Sequence, residues 1–111
     1  MDFAQDMAGD VSIIRLTGRL DSSTARAAED NFSKLLAGEF PSLALDLTML
    51  DYVSSAGLRV LLVVAKKLQR ANAKLVLFGM HPSVREVFAI SGFDKIFAIQ
   101  PDQAAALAAV R

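Results

Sequence analysis

The chain has 111 residues, a usual length for one domain, and 53% of them are hydrophobic against 22% charged, which excludes a disordered or fibrous chain. Twelve basic and twelve acidic residues give a formal net charge of zero, whereas a domain that coats nucleic acid usually carries a clear basic excess. The absence of cysteine excludes disulfides, thiol catalysis and thiolate metal sites, and one histidine cannot form a His-rich metal site, so we predict no cofactor and no metal.

Two strands and a helix are predicted in the first third of the chain. Residues 3–7 form a candidate strand, and the Gly and Asp at 9–10 favour a tight turn after it. Residues 11–17 are rich in β-branched side chains and predict a second strand, which Gly18 should end. Side-chain oxygens at 21–23 predict a helix start, and the helix should stop at Gly38.

Strands and helices alternate through the rest of the chain. Residues 43–47 and 75–78 are predicted strands, and the continuous apolar run of the second is typical of a strand buried on both faces. A helix from Ser54 or Ser55 to about Ala71 separates them. The other predicted elements are a helix that begins at His81 and Pro82 and ends at residues 91–92, a strand over 96–99 and a helix over 103–110.

The resulting order, ββαβαβαβα, predicts an α/β fold. We expect a single mixed sheet of four to five strands, with an antiparallel N-terminal hairpin, mainly parallel pairing elsewhere and about four packed helices. Functional loops of such sheets follow the C-terminal ends of parallel strands. Here those loops would be residues 18–23, 49–57 and 79–82.

The hydropathy pattern predicts a cytoplasmic protein with no membrane contact. The first six residues are acidic and contain no long apolar run, so neither a signal peptide nor an anchor is expected there. The most apolar window, residues 58–65, is far shorter than a membrane span. The length of the chain predicts one domain, which covers residues 1–111.

No pattern in the chain supports an enzyme. Ser55, His81 and Asp46 could be imagined as nucleophile, base and orienting acid, but the Gly-x-Ser-x-Gly turn that would support such a triad is absent. The glycine-rich phosphate-binding loops are absent too. A phosphoaspartate receiver domain would need an acidic pair after its first strand, and this chain has none there. We predict no catalytic residue.

Two adjacent hydroxyls, Ser54 and Ser55, stand where a predicted loop becomes a helix. The simplest interpretation is that Ser54 caps the helix and Ser55 is merely polar. A projection at 3.6 residues per turn, however, places cations and apolar residues together on the side away from the core. That side comprises Ser55, Arg59, Leu62, Val63, Lys66 and Arg70. Such a mixture favours a surface that docks another protein.

A phosphate on Ser55 would suit this position. The first turn of a helix offers free N–H groups and the positive end of the helix dipole. Phosphorylation would add about two negative charges one turn before Arg59 and leave the core intact. It would therefore change the affinity for a partner without requiring a change of fold.

The basic stretch around this helix is compatible with a protein partner. No acidic residue lies between Asp51 and Glu86, whereas six basic residues do. Nucleic-acid binding is the rival explanation, but the helix has no interleaved aromatic residues for base stacking and the chain is neutral overall. We predict no direct binding of nucleic acid.

The run Ser54-Ser55-Ala56-Gly57-Leu58-Arg59, within this order of elements, resembles the STAS domain family, and especially the stand-alone anti-sigma factor antagonists of bacteria. Residues 16–21, 43–52, 79–84 and 88–93 also resemble segments of that family. Its phosphorylated loop commonly reads Asp-Ser-Ser/Thr-Gly-Leu, so an alignment on Gly57 and Leu58 makes Ser55 the acceptor. Ser54 then replaces the acidic residue and is an alternative acceptor, and Asp21 matches a family acidic position.

The resemblance implies a partner-switching cycle. The unphosphorylated antagonist would bind an anti-sigma factor that is also a serine kinase, be released by phosphorylation on Ser55, and be restored by a metal-dependent serine phosphatase. We call the predicted partner-binding residues the docking surface: Asp21, Ser54, Ser55, Arg59, Leu62, Val63 and Lys66. The alternative, kept open by Ser54, is a non-switching STAS accessory subunit of a transport system.

Overall fold

The computed structural model describes residues 1–37 and 42–110. Within them, five strands form one sheet in which the spatial order equals the sequence order. The strands are β1 (Asp2–Ala8), β2 (Val11–Leu20), β3 (Ser42–Val53), β4 (Lys74–Phe78) and β5 (Ala98–Gln100). β1 and β2 are antiparallel and the other neighbouring pairs are parallel. The predicted mixed sheet with an N-terminal hairpin is confirmed.

The described residues also contain four α-helices. These are α1 (Ala25–Leu35), α2 (Ser55–Arg70), α3 (Pro82–Ile90) and α4 (Gln103–Val110). The predicted order ββαβαβαβα is therefore confirmed, and α2 ends one residue before its predicted end. Gly38, the predicted stop of the first helix, lies outside the described residues. None of the described helices is both long and apolar enough to cross a membrane.

Helices cover both faces of the sheet. α1, α2 and α3 pack one main core against one face, where Phe32, Leu61 and Phe88 are almost completely buried. α4 packs against the other face through Ala106 and Val110. Successive residues of β3 and β4 point alternately into these two cores. β4 is thus covered on both faces, as its continuous apolar run predicts.

Two strands extend further than predicted. Gly18 does not end β2. It has a φ of +104° and lies next to a register shift in the pairing with β3, and this pairing continues to Leu20 and Val53. A bulge of this kind absorbs a glycine in a left-handed conformation without breaking the strand. The prediction that residues 49–57 form a loop is wrong, since β3 continues to Val53.

Two other boundaries differ from the prediction. α1 begins at Ala25, because the hydroxyl of Thr24 donates to the carbonyl of Arg19 at 2.8 Å instead of capping the helix. The last strand begins at Ala98 and not at residue 96. A short 3₁₀ turn precedes it, in which the N–H groups of Ile96 and Phe97 each donate to the carbonyl of Phe93 at 3.0 Å.

Candidate functional site

The C-terminal ends of β2 and β3 bring two predicted site segments together. Leu20 and Val53 are paired neighbours at the end of the parallel ladder. The N–H of Ser54 donates to the carbonyl of Leu20 at 3.0 Å. Asp21 and Ser54 are therefore the first residues beyond two adjacent strand ends. The candidate site thus spans the C-terminal ends of two adjacent strands, which is where functional residues of parallel sheets lie.

Gly57 allows α2 to approach the end of β2 closely. A Cβ atom at this position would lie 2.4 Å from the carbonyl oxygen of Leu20 and 2.8 Å from its Cγ. No side chain fits in that space. Sequence analysis used Gly57 only to align the phosphorylated loop and gave it no packing role, although a glycine inside a helical pattern is itself a sign of close packing.

The two hydroxyls at the start of α2 have different environments. Ser54 is the N-cap residue, and its Oγ accepts a hydrogen bond from the N–H of Gly57 at 3.3 Å. Ser55 is the first residue of α2 and is exposed to solvent. Its side chain takes part in none of the hydrogen bonds found in residues 1–37 and 42–110. The Ser54 hydroxyl stabilises the helix start, whereas Ser55 is exposed to solvent.

This difference predicts different effects of the two alanine substitutions. We expect Ser54→Ala to lower the free energy of unfolding by about 1 kcal/mol, because the N–H of Gly57 loses its capping oxygen. Ser55→Ala, at an exposed position, should change it by less than about 0.5 kcal/mol. Urea unfolding of both variants would check this. Equal losses in both would contradict the division of roles.

The outward side of α2 has the exposure that the helical projection predicts. Arg59, Lys66 and Arg70 are exposed, Val63 is 36% exposed and Leu62 is partly buried. On the opposite side of the helix, Leu61, Val64 and Leu68 are buried in the main core. The helix therefore presents cations and apolar side chains together, one turn and more beyond Ser55.

Two grooves run along the sides of α2. One, of about 290 Å³, lies between α1 and α2 and includes Val63 and Lys67 in its lining. The other, of about 420 Å³, lies between α2 and β5 and includes Leu62 and Lys66. Leu62 and Val63, predicted to share one face, thus open onto opposite sides of the helix. The outward side of α2 is a ridge with a groove on either side.

The Asp21 carboxylate is held in a defined orientation at the end of β2. Its Oδ1 accepts hydrogen bonds from the N–H of Ser23 at 3.0 Å and from the Ser23 hydroxyl at 2.7 Å. Its Oδ2 accepts from Arg19 Nε at 3.3 Å. The Ser23 hydroxyl is the main cause that lowers the pKa of Asp21, with Arg19 adding to it. Asp21 therefore contributes a fixed negative charge to the site.

Arg19 and Tyr52 adjoin this carboxylate and were missed by sequence reasoning. The Arg19 guanidinium lies 4.2 Å from the centroid of the Tyr52 ring, which is a cation–π distance. The two residues are neighbours in the β2–β3 ladder beyond its irregularity. Because a bulge determines this register, the strand pattern alone gave no signal of the pair.

The imagined catalytic triad does not form. The buried Asp46 carboxylate accepts from Arg15 Nε at 3.0 Å, and from the N–H and hydroxyl of Thr48 at 2.9 and 2.6 Å. The Nε2–H of His81 donates to the carbonyl of Thr48 at 2.8 Å. Asp46 and His81 therefore have structural partners in the described residues, and neither is hydrogen-bonded to Ser55.

The Asp46 interactions predict an acid-sensitive contribution to stability. Burial alone would raise the pKa of Asp46, but hydrogen bonds from Thr48 and Arg15 outweigh it, and the pKa falls below its usual 3.8. The ionised Asp46 carboxylate therefore stabilises the fold when the pH is above the pKa of the unfolded state. This stabilisation is lost as the pH falls through the lower pKa of the folded state. Urea unfolding from about pH 7 to about pH 3 should show the loss.

Asp46→Asn provides the control for this pH dependence. The variant cannot lose a charge at position 46, so we expect it to be less stable than the original chain at neutral pH and its stability to fall less on acidification. Asp21, whose pKa is also lowered, still titrates in the variant. Its contribution to the pH dependence of stability is therefore the same in both proteins. Parallel pH profiles for the two proteins would contradict the assignment to Asp46.

The fold and this strand-to-helix site define the class of protein, and comparison with known proteins agrees. The chain belongs to the STAS domain family, whose model matches residues 4–106. This confirms the resemblance based on residues 54–59 and on the order of elements.

Named relatives and a solved structure cover most or all of the chain. The BtrV protein of Bordetella bronchiseptica, provisionally named an anti-sigma factor antagonist, is 40% identical over 111 residues, covering 100% of this chain and 96% of BtrV. The anti-sigma-B factor antagonist of Listeria monocytogenes is 31% identical over 87 residues, or 78% of this chain and 76% of the relative. A crystal structure of an anti-sigma factor antagonist from Mycobacterium paratuberculosis superposes with a TM-score of 0.90 at 28% identity, covering 99% and 93% of the two chains.

Proposed function

We propose that this chain is an anti-sigma factor antagonist that acts by partner switching. In its unphosphorylated form it binds an anti-sigma factor with serine kinase activity through the docking surface, and this binding frees a sigma factor. Phosphorylation on Ser55 releases it from the kinase, and a metal-dependent serine phosphatase restores the original form. The chain itself supplies no catalytic group in this cycle.

The observation that carries the proposal is the exposed hydroxyl of Ser55 at the first residue of α2. It lies two residues beyond the end of β3, whose neighbouring strand end is followed by Asp21, and one turn before Arg59. The family membership and the names of the relatives support the same reading. Together they favour a regulatory docking protein whose contact surface contains its own phosphorylation site.

Phosphorylation would change the charge of the surface and leave the fold in place. The kinase transfers the γ-phosphoryl group of ATP: the Ser55 Oγ–phosphorus bond forms, the bond to the bridging oxygen of ADP breaks, and the hydroxyl proton passes to a base of the kinase. The product places about two negative charges on a surface whose nearest helical cation is Arg59. A partner that fits the cationic surface is then repelled.

Ser55 is the better acceptor of the two serines. Modification of Ser54 would remove the oxygen that caps the N–H of Gly57 and would place a phosphate in a partly buried position. Modification of Ser55 disturbs no hydrogen bond of the described residues. The family commonly has an aspartate at the position of Ser54. Serine and aspartate are both good N-cap residues, so Ser54 can cap the helix in its place.

Intact-mass analysis after incubation with the cognate anti-sigma kinase and ATP tests the proposal. We expect one phosphate on the original chain and on Ser54→Ala, and none on Ser55→Ala. A phosphate retained in Ser55→Ala would contradict the assignment of the acceptor. No phosphate on any of the three, with a transport ATPase as the bound partner, would support the accessory-subunit alternative.

A further inference from the structure

Most of the residues that line the groove between α2 and β5 have apolar side chains. Its floor and walls include Leu62, Leu75, Ile96 and Phe97, and its volume is about 420 Å³. This lies within the roughly 300–1,000 Å³ usual for sites that bind ligands. The groove is therefore large enough to accept several side chains of a partner.

Ile96 marks the open side of this groove. Its side chain is 56% exposed, whereas the neighbouring Phe97 is only 6% exposed and packs into the main core. A single exposed isoleucine is ordinary on a protein surface. Here, however, it faces the same groove as the partly buried Leu62, so the two apolar side chains border one continuous depression.

The charge within the lining of the groove is positive. Lys66 is the charged residue of its lining, and Gln69 is the other residue with a polar side chain. Arg59 and Arg70 are exposed on the adjoining outward side of α2. Asp94 lies on the 3₁₀ turn before Ile96 but is not part of the lining. An occupant that complements this groove carries apolar side chains along it and carboxylates beside Lys66.

We propose that this groove binds a short acidic segment of the partner protein, with two or three apolar side chains that fill it. The segment continues the docking surface, because Leu62 and Lys66 belong to both. The proposal rests on the proposed function in taking this segment to be part of the protein that docks at Ser55. It adds a second contact region, which begins at Leu62 on α2 and extends to the edge strand β5.

The experiment uses the full chain and two synthetic peptides, so it does not depend on the kinase. One probe is an amphipathic peptide with leucines at positions i and i+4 and glutamates elsewhere, and the other has lysine in place of every glutamate. We expect the acidic peptide to shift the NMR amide signals of Leu62, Lys66, Ile96 and Ala98, and the basic peptide to leave them in place. Equal binding of both peptides, or shifts outside the groove, would overturn the proposal.

Two matched pairs of variants locate the site. Ile96→Asp should weaken binding of the acidic peptide about tenfold, since it removes apolar contact and introduces a like charge. Ile90→Asp makes the same change at a residue that is 78% exposed outside the groove, and it should leave the affinity unchanged. Lys66→Glu should weaken binding, whereas Arg26→Glu on α1 should not.

These outcomes are independent of the phosphorylation assay. An affinity that is equal in Ile96→Asp and Ile90→Asp would remove the groove proposal and leave Ser55 as the acceptor. A failure to phosphorylate Ser55 would remove the switching cycle and leave a groove that selects acidic peptides. The two proposals can therefore fail separately.

Discussion

Replacement of Gly57 by alanine is expected to destabilise the protein by about 2 kcal/mol. The added methyl group would lie 2.4 Å from the carbonyl oxygen of Leu20, and this oxygen belongs to the backbone and cannot rotate away. α2 must move away from β2, which also strains the hydrogen bond from the N–H of Ser54 to the same oxygen. Urea unfolding would measure the loss.

The sign of the Gly57→Ala effect makes the test sharp. At an exposed helical position, exchange of glycine for alanine stabilises a helix by up to about 1 kcal/mol. Gly92→Ala serves as a control, because a Cβ there meets no atom within 4 Å and the only cost is its φ of +76°. If Gly57→Ala were as stable as the original chain, the close approach of α2 to β2 would be contradicted.

Charge reversal at Arg59 is expected to weaken binding of the anti-sigma partner by about tenfold or more. Arg59 is exposed on the ridge of the docking surface, one turn beyond Ser55. Glutamate there would put a carboxylate close to where the phosphate is proposed to act, so the variant imitates part of its electrostatic effect. Fold stability should be retained, since Arg59 is exposed and substitutions at such surface positions usually change the free energy of unfolding by less than about 0.5 kcal/mol.

Isothermal titration of the partner with Arg59→Glu and Arg85→Glu would check this. Arg85 is also exposed near the start of a helix, but it lies on α3, outside the docking surface. We expect the Arg85 variant to bind like the original chain. Equal affinities for the two variants would mean that the outward side of α2 does not carry the interaction.

The order of elements could be predicted because local patterns determine it. Runs of β-branched residues and apolar residues at helical spacing each lie within a single segment of the chain. Residues such as Pro82, which begin or end an element, separate these segments. The extents of β2 and β3 could not be predicted. Gly18 could end β2 or lie within a bulge, and pairing with β3 determines which of the two occurs. The neighbouring strand decides between these outcomes, and local sequence does not record the register.

The candidate site was predictable where it depends on helical periodicity. Exposure of Ser55, Arg59 and Lys66 follows from the projection of one helix, and the structure has them exposed. Contacts between distant segments were not predictable. The Arg15–Asp46 ion pair and the Gly57–Leu20 contact each join residues far apart in the chain, and strand pairing creates both.

The proposed switch does not require the fold to change. The helix start is fixed by the Ser54 cap and by the hydrogen bond to Leu20, so its geometry does not depend on Ser55. A phosphate on Ser55 would therefore act directly on the partner through charge and bulk. We expect the fold to be the same in both forms of the cycle.

The most direct test of this account is isothermal titration of the anti-sigma partner with the chain before and after complete phosphorylation on Ser55. The account predicts that phosphorylation weakens binding by about a hundredfold, close to 2.7 kcal/mol, with an unchanged urea unfolding midpoint. Equal affinity of the two forms would contradict it. So would weakened binding accompanied by loss of the fold.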